Sequence, residues 1–463
     1  MTVISARNFP QRQLFICPAP NSRRLALLAV VLALCSALAA AQAGTLDPTF
    51  ATGGIFTTSF TEQTAIATVM AIQSDGKIIV AGDGTLAGTF GALLLRLNTN
   101  GTLDTTFGSG GYVLLGSSEG DEVFGIAILS NGQILVGTDG LPNTIVRLNS
   151  NGTIDTTFGT NGIASTSSLV SLVPETPQSF LALLPSGEIL MTANGVMGRF
   201  TSTGQLDVTF GNDGIAALAA PVPSAVAVQS NGKILVASGQ PLPDDLILPP
   251  PPPSIQAGTI TRYNANGSLD TTFGASGQAA CTCSASAMTL QSDGKIVVVG
   301  TVTTAIETVV SNGITHANNQ TGFGLVRYNP NGTIDTTFNH GGAAVGFGSS
   351  FPAGAGLALA IQSNGDIVAG GQAGAADFDG AGAQFGSSSF ALARFTSAGQ
   401  LDSTFGQAGT VLTQIEASNN ISNVSALAIQ SDGKIVAAGN TAPFVTAYQG
   451  IVNNLVVARY LGD

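Results

Sequence analysis

Tryptophan is absent from this sequence, and basic residues are scarce. The 463 residues include 15 Lys and Arg against 27 Asp and Glu, with two His and four Cys. Four of the 15 cations lie in residues 1–43, so 11 cations stand against 27 acids in the remainder. Nucleic acids and anionic membranes are bound through clusters of Lys and Arg, so this balance excludes both classes of partner.

The residues that commonly carry catalysis are also few. His316 lies in a polar insertion and His340 precedes Gly341-Gly342, so neither has the spacing of a metal ligand. The H-E-x-x-H, G-x-S-x-G and P-loop patterns do not occur. Without Trp there is no evident platform on which a sugar or a quinone cofactor could stack. We therefore expect no cofactor, and a non-catalytic protein rather than an enzyme.

Residues 1–43 are predicted to be an export signal. Arg23-Arg24 precedes an apolar run from Leu25 to Ala41, and Ala41-Gln42-Ala43 forms an A-x-A cleavage pattern. The alternative is an uncleaved membrane anchor, because the run approaches the length that spans a bilayer. We expect cleavage, after which no membrane span remains. The protein would then be secreted, periplasmic or attached to the cell surface.

Cys281 and Cys283 are the two cysteines that follow the signal, and Thr282 alone separates them. An exported protein meets an oxidising environment, so a disulfide is one interpretation, although a one-residue spacer makes a strained ring. A C-x-C metal site is a second, but the nearby sequence supplies no His. We favour a third, in which both are small buried residues on one strand face.

What the chain has in abundance is repetition. The phrase Leu-Asp-x-Thr-Phe, with Ile in place of Leu in two copies, returns at intervals of about 50 to 70 residues. Its aspartates are Asp47, Asp104, Asp155, Asp207, Asp270, Asp335 and Asp402. A fixed recurrence of this length marks a repeat architecture.

Two further phrases alternate with the first. In one, as in Ala71–Val80, two apolar runs flank an Asp-Gly or Asn-Gly turn, which predicts a β-hairpin. In the other, a strand ends in Arg, as at Arg96, and a turn leads into Leu-Asp-x-Thr-Phe. Seven sheets of four antiparallel strands predict an all-β protein, a seven-bladed β-propeller over residues 44–463. A β-solenoid is the alternative, but its repeats are usually much shorter.

The two ends of the chain complete one repeat. After residue 43 the chain opens with Leu46–Phe50, and it finishes with Val457–Tyr460, where the next copy of the phrase should follow. We expect Leu46–Phe50 to be the outer strand of the last blade. Closing the ring in this way removes unpaired strand edges.

These phrases resemble the delta-60 repeat, a family of propeller domains in exported bacterial proteins. The similarity rests on Gln430–Gly439, Val326–Phe338 and their copies, and it covers about residues 45–463. The resemblance implies a propeller and no agreed activity. The arrangement is also similar to that of NHL propellers, which act mostly as binding platforms, but this is analogy of fold alone.

Every Lys and Arg after residue 43 occupies a fixed repeat position. Each Arg is matched to the Asp of the following phrase, and the intervening turn folds one strand onto the next. We therefore predict structural Arg–carboxylate pairs. The pairs are Arg96 with Asp104, Arg147 with Asp155, Arg199 with Asp207, Arg262 with Asp270, Arg327 with Asp335, Arg394 with Asp402, and Arg459 with Asp47.

Two stretches are weak candidates for calcium binding. Asn98–Asp104 resembles a D-x-D-x-D-G loop, but Arg96 fills the first ligand position and would oppose the ion. Asp377–Gly380 carries the letters Asp-Phe-Asp-Gly. An ordinary turn is the favoured interpretation of both.

The links between the second and third strands lengthen in repeats four to seven. They contain Pro241–Ser254, Thr301–Gln320, Gly371–Ser389 and Asn440–Asn454. Insertions that gather on one face often form a binding surface, whereas neutral insertion is the alternative. The acidic residues that would line this surface are Asp244, Asp245, Glu307, Asp377 and Asp379.

We expect from these features a monomeric, exported, non-catalytic module that binds a protein or a surface polymer through the long links. Two alternatives stay open. One is a metal-dependent hydrolase or lyase that uses the acidic residues of the links. The other is a structural envelope protein that has no ligand.

Overall fold

The structure is a computed structural model that describes residues 42–462, apart from 59–63, 117–121, 141, 167–178, 194, 220–221, 239–257, 282, 312–313, 379–382, 416–419 and 444–452. For 305–319 and 375–386 it describes at most the backbone. The predicted export signal lies outside the described residues, except for Gln42 and Ala43. Among the described residues, no helix is long and apolar enough to cross a membrane.

The described residues form 28 strands in seven four-stranded antiparallel sheets. The chain enters through β1 (Ile55–Thr57), which is the outermost strand of the last sheet. From the innermost strand outward, blade 1 contains β2 (Val69–Ile72), β3 (Ile78–Leu86), β4 (Thr89–Leu97) and β5 (Tyr112–Leu115). Blade 2 contains β6 (Val123–Ile128), β7 (Ile134–Thr138), β8 (Thr144–Leu148) and β9 (Ile163–Ser165). Blade 3 contains β10 (Phe180–Leu183), β11 (Ile189–Ala193), β12 (Val196–Phe200) and β13 (Ile215–Ala217).

The remaining four blades follow the same order. Blade 4 contains β14 (Ala225–Val228), β15 (Ile234–Ser238), β16 (Gly258–Tyr263) and β17 (Gln278–Cys281). Blade 5 contains β18 (Ser284–Leu290), β19 (Ile296–Ser311), β20 (Ile314–Tyr328) and β21 (Gly342–Val345), the last preceded by a 3-10 turn, Asn339–Gly341. Blade 6 contains β22 (Ala353–Ile361), β23 (Ile367–Phe378), β24 (Ala383–Phe395) and β25 (Thr410–Thr413). Blade 7 contains β26 (Asn420–Ile429), β27 (Ile435–Pro443) and β28 (Asn454–Tyr460), and β1 completes it.

The sheets are arranged as a closed ring. The innermost strand of each blade contacts that of the next, and β26 of blade 7 contacts β2 of blade 1. The prediction of a seven-bladed, all-β propeller is therefore confirmed. Each blade repeats the turn chemistry read from the sequence: in the β2–β3 hairpin, Gly76 N donates to Gln73 O at 2.9 Å and Gln73 N donates to Lys77 O at 2.8 Å.

The apolar core lies between adjacent blades. One buried cluster joins Phe50, Val436 and Val457 of blade 7 to Val80 and Leu95 of blade 1, and every other junction has a cluster of the same kind. The Phe of each Leu-Asp-x-Thr-Phe phrase is fully buried at such a junction. Burial of these rings makes a large favourable contribution to the packing of each blade on the next.

A turn glycine of the neighbouring blade makes room for each of these rings. Gly101 has φ +81°, and a Cβ placed there would lie 2.8 Å from the ring of Phe50 and 2.7 Å from Ala51 N. Glycine is therefore required here both by the left-handed backbone and by the close approach of the next blade.

The closure of the ring differs in one detail from the sequence prediction. Leu46 makes a single bridge with Tyr460, but the outer strand is Ile55–Thr57, which pairs with Val456–Ala458. Leu46–Phe50 is not that strand because Asp47 Oδ1 accepts hydrogen bonds from Thr49 N and Thr49 Oγ1, at 2.9 and 2.6 Å. A side chain that bonds its own backbone in this way forms a turn.

The antiparallel order divides the connections between two faces. The hairpin turns between first and second strands and the turns between third and fourth strands lie together on one face, here called the turn face. The links between second and third strands share the opposite face with the blade-to-blade connections. We call that opposite face the insertion face.

Candidate functional site

The turn face is built around the Arg–Asp pairs. In blade 1, Asp104 N donates to Arg96 O at 2.8 Å, so the turn brings the two side chains side by side. Arg96 Nε then donates to Asp104 Oδ2 at 2.8 Å. The other carboxylate oxygen, Oδ1, accepts from Thr106 N at 3.1 Å and from Thr106 Oγ1 at 2.6 Å. Both charged residues are buried.

All seven predicted pairs are brought together in the same way. The shortest N–O distance in each pair lies between 2.6 and 2.9 Å. Each guanidinium also lies over the Phe ring of its own repeat, with 4.6 to 4.9 Å between the Arg Cζ and the ring centroid. The phrase therefore supplies both a carboxylate and an aromatic face to one cation.

Each of these arginines also reaches the next blade. Arg96 Nη1 donates to Ser150 O in the turn of blade 2, and Arg459 Nη1 donates to Thr99 O in the turn of blade 1. The intermediate junctions carry the same bond, from Arg147 to Ser202 O, Arg199 to Ala265 O, Arg262 to Pro330 O, Arg327 to Ser397 O and Arg394 to Gly462 O. Sequence reasoning predicted the pairs but not this contact, because it depends on the packing of one blade against another.

The four lysines complete the pattern. They follow the hairpin glycine, and each Nζ lies near the Asp of its own blade: Lys77 2.8 Å from Asp104, Lys233 2.6 Å from Asp270, Lys295 3.1 Å from Asp335 and Lys434 3.5 Å from Asp47. In blade 2, Gln133 takes the lysine position and donates to Asp155 Oδ2 at 2.6 Å. All 11 cations after residue 43 are thus placed on the turn face.

The surroundings of the pairs keep their carboxylates ionised. Hydrogen bonds from Thr157 lower the pKa of Asp155 to about 2, against the effect of burial and with help from the Arg147 charge. Burial alone would raise the pKa of Asp104, but hydrogen bonds from Lys77 and Thr106 outweigh it and lower the pKa well below its usual value. These carboxylates are therefore poor proton donors or acceptors near neutral pH.

The predicted calcium loop Asn98–Asp104 is occupied by its own hydrogen bonds. Asn100 Oδ1 accepts from Thr102 N and Oγ1, at 3.1 and 2.7 Å, and Asp104 is held by Lys77 and Arg96. Within the described part of the chain, no group of three His, Cys, Asp or Glu side chains is placed to hold a metal ion. The second calcium candidate, Asp377–Gly380, lies outside the described side chains.

The insertion face carries two long hairpins. Thr301–Gln320 and Gly371–Ser389, predicted to be long links between strands, largely continue the paired strands of their blades. β19 and β20 pair from Ile296↔Tyr328 out to Ser311↔Ile314, and β23 and β24 pair from Ile367↔Phe395 out to Phe378↔Ala383. The β-branched residues of Val302–Val310 were the available signal for the extension in blade 5.

The predicted acidic residues of this face all lie outside the described side chains. Asp244, Asp245 and Asp379 lie outside the described residues. Glu307 and Asp377 stand in β19 and β23, pairing with Asn318 and Gln384 in the backbone, and their side chains are not described. Their place in the two hairpins nonetheless puts both on the insertion face.

An acidic group that the sequence analysis did not find lies on the same face, at the junction of blades 1 and 2. Asp83 is buried and accepts a hydrogen bond from Val123 N at 3.2 Å. Asp139 Oδ1 accepts from Glu122 N at 2.7 Å. Burial, followed by the charges of Glu122 and Asp139, raises the pKa of Asp83 to about 7. The sequence signal for Asp83 is an acidic residue followed by Gly inside an otherwise apolar strand.

Family comparison agrees with this fold. The model described as "Domain of unknown function (DUF5122) beta-propeller" matches residues 73–107, 129–158, 254–273 and 291–338. These stretches include hairpin phrases and Leu-Asp-x-Thr-Phe phrases of repeats one, two, four and five. The match supports a propeller of this general kind. Among curated proteins, none matches the sequence.

Solved structures resemble the chain at low sequence identity. The WD40 β-propeller domain of Doa1 is 11% identical with a TM-score of 0.48, over 92% of this chain and 98% of that one. Sqt1 of Chaetomium thermophilum, bound to the N-terminus of ribosomal protein L10, is 12% identical with a TM-score of 0.42, over 86% and 97%. An inactive virginiamycin B lyase of Staphylococcus aureus with quinupristin is 11% identical with a TM-score of 0.33, over 88% of each chain. Likeness at this level carries no argument about ligands or activity.

Proposed function

We propose that this protein is an exported, non-catalytic binding module whose contact surface is the insertion face. The observation that carries the proposal is the pair of long hairpins. β19 and β20 contain 16 and 15 residues, and β23 and β24 contain 12 and 13, whereas the equivalent strands of blades 2 and 3 contain five. Strand length beyond that needed to build a blade supplies surface for a partner.

The distribution of charge indicates which partner would suit this face. All 11 cations after residue 43 belong to the turn face, where they form the ion pairs described above. The insertion face therefore carries carboxylates without Lys or Arg. An acidic surface attracts and orients a basic one, so the proposed partner is a protein segment or surface polymer that presents cationic groups.

Export is part of the proposal and is supported by sequence alone. Arg23-Arg24, the apolar run that follows and the small residues at Ala41 and Ala43 are typical of a secretory leader. A binding module in this setting would meet its partner outside the cytoplasm.

The binding proposal can be tested with labelled peptides and two shortened proteins. The probes are a fluorescein-labelled Lys/Ser peptide and a Glu/Ser peptide of the same length, followed by fluorescence anisotropy. One variant replaces Ile306–Asn319 by Asn-Gly and keeps the Ala305↔Gln320 pair; the other replaces Asp377–Gln384 and keeps Ala376↔Phe385. Asn-Gly is chosen because it forms a two-residue hairpin turn.

We expect the basic peptide alone to bind, and each shortened variant to weaken this binding about tenfold, or about 1.4 kcal/mol. A charge-matched pair of variants separates the two faces. Glu307→Gln with Asp377→Asn removes two charges from the insertion face, and Glu188→Gln with Asp213→Asn removes two from the turn face. Only the first double variant should weaken binding. Equal effects of the two, or unchanged affinity in the shortened proteins, would contradict the proposal.

A further inference from the structure

Two thiols meet at the junction between blades 4 and 5. Cys281 ends β17, the outer strand of blade 4, and Cys283 immediately precedes β18, the inner strand of blade 5. Both side chains are fully buried, and both are unbridged. Their Sγ atoms are 2.8 Å apart. A sulfur–sulfur bond would require them to approach by less than about 1 Å.

We propose that Cys281 and Cys283 form a reversible redox site, which a small disulfide such as oxidised glutathione converts from a dithiol into an intramolecular disulfide. The Cys281 thiolate attacks one glutathione sulfur and releases the first glutathione as a thiol. Cys283 then loses its proton and attacks Cys281 Sγ in the mixed disulfide, which releases the second glutathione. The pair loses two electrons and two protons, and the oxidant gains them as two thiols.

The surroundings of the sulfurs distinguish the two roles. A hydrogen bond from Cys283 is the main cause that lowers the pKa of Cys281, against the opposing effect of burial. The same contact and burial raise the pKa of Cys283. Because the thiolate is the attacking species, Cys281 is suited to the first step and Cys283 to the second.

The spacing favours a disulfide that opens again rather than a permanent crosslink. Thr282 is the one residue between the cysteines, so the ring that closes is small. Crosslinks across short loops contribute little to stability, and constrained disulfides are reduced more easily. Burial means that reagents reach the sulfurs through local opening of this junction, so exchange should be slower than in the unfolded chain.

The test is to equilibrate the folded full chain in buffers of varied reduced-to-oxidised glutathione ratio. The reaction is stopped with acid, free thiols are alkylated in denaturant, and trypsin releases the peptide Tyr263–Lys295 for mass spectrometry. Cys17 and Cys35 fall in other tryptic peptides. We expect an unalkylated peptide, about 2 Da lighter than the dithiol, at oxidising ratios. At reducing ratios we expect a doubly alkylated peptide, with the same midpoint from both directions.

Cys281→Ser and Cys283→Ser are the controls, and each should give an alkylated or glutathionylated peptide without the internal bond. The idea fails if both thiols of the parent protein stay alkylatable at every ratio. It fails equally if only the mixed disulfide accumulates, or if the internal disulfide forms in the urea-unfolded chain but not in the folded one. Each of these three outcomes would mean that the fold does not hold the two sulfurs ready to react.

Discussion

Arg459 Nη2 lies 2.9 Å from Asp47 Oδ2, and this contact joins the last blade strand to the first turn of the propeller. The pair differs from its six counterparts in one respect. Elsewhere the Arg Nε donates to the carboxylate, whereas among the described residues Arg459 Nε has no hydrogen-bond partner. Lys434 is also the most distant of the four lysines from its Asp, at 3.5 Å. The closure pair is therefore the less well aligned version of the repeated pair.

This difference predicts unequal costs for the same substitution. Asp104→Asn leaves Arg96 and Lys77 without a carboxylate and should lower the free energy of unfolding by about 3 kcal/mol. Asp47→Asn should lower the free energy of unfolding by about half as much, because the Arg459–Asp47 ion pair is less well aligned. Urea denaturation followed by circular dichroism measures both.

Asp75→Asn is the matched control for these two substitutions. Asp75 is an exposed residue of the turn face, and its Oδ1 accepts a hydrogen bond from Lys77 N at 3.1 Å. The side-chain oxygen of Asn can accept the same hydrogen bond. This substitution should change stability by less than about 0.5 kcal/mol. A larger loss in Asp47→Asn than in Asp104→Asn would show that closure depends on this contact more than the geometry indicates.

The repeated sequence phrases made the blades and the Arg–Asp pairs predictable, because the residues that form them are close together in the sequence. Arg96 and Asp104 are joined by a single turn, and Gly76 marks its hairpin in the sequence itself. The contact from Arg96 to Ser150 O was not predictable, since it depends on how far each blade is rotated against the next. Asp83 was missed for the same reason: Glu122 and Val123 reach it only through packing of blade 2 on blade 1.

The hairpins of blades 5 and 6 were missed for a different reason. The repeated sequence pattern ends at Gly300 in blade 5 and at Gly371 in blade 6. The stretches that follow contain no repeat phrase, and they were therefore interpreted as long links. Antiparallel pairing needs no such phrase. A run rich in β-branched residues is a strand signal, and seven of the nine residues in Val302–Val310 are β-branched. The strands of blade 6 have no such run in Gly371–Phe378. Insertions in a repeat protein should be examined for strand pattern before they are assigned as loops.

The first and last segments of the propeller meet inside one turn, which predicts a tolerated circular permutation. Leu461 N donates to Thr45 O and Gly44 N donates to Leu461 O, at 2.9 and 2.8 Å. The continuous turn of blade 1 has the equivalent two hydrogen bonds: Asn98 N donates to Thr102 O at 2.8 Å, and Gly101 N donates to Asn98 O at 2.9 Å. Two separate segments thus reproduce one continuous turn.

A protein that joins Gly462 directly to Ala43 and begins at Asn100 should therefore fold. We expect a circular dichroism spectrum like that of residues 42–463 and a melting temperature within a few degrees of it, because new ends are tolerated at exposed turns. A permutant that begins at Ala81, inside buried β3, should not fold. Failure of the first permutant would mean that the split turn has a role that the continuous turn cannot fulfil.

The hydrogen bonds of the same turn predict where a secretory leader would be cleaved. Gly406 N donates to Ala43 O at 2.9 Å, which repeats the bond from Gly108 N to Asn151 O between blades 1 and 2. Cleavage after Ala43 would remove this acceptor. Ala39-Ala40-Ala41 also fits the A-x-A pattern and would leave it in place. We predict a mature protein that begins at Gln42, to be checked by N-terminal peptide mass spectrometry of exported protein; a start at Gly44 contradicts this.

Asp83 makes a contribution to stability that is larger in mild acid than at neutral pH. Its pKa is raised to about 7 by burial and by Glu122 and Asp139, while the hydrogen bond from Val123 N opposes the rise. The folded protein therefore binds this proton more tightly than the unfolded chain, whose Asp has its ordinary pKa of 3.8. The resulting stabilisation is fully present below about pH 4 and is lost as the pH rises through about 7.

Asp83→Asn removes the titrating group and should be tolerated, because blade 7 has Asn440 at the equivalent position. Asn440 Oδ1 accepts a hydrogen bond from Ala67 N at 2.5 Å, as Asp83 accepts one from Val123 N. We expect the variant to match the parent at pH 4 and to exceed it by about 1 to 3 kcal/mol at pH 8. Urea denaturation at pH 4, 6 and 8 measures the difference, with exposed Asp213→Asn as control. Parallel stability curves for parent and variant would mean that the carboxylate of Asp83 is ionised throughout this range, and that its neighbours are arranged to accept the charge.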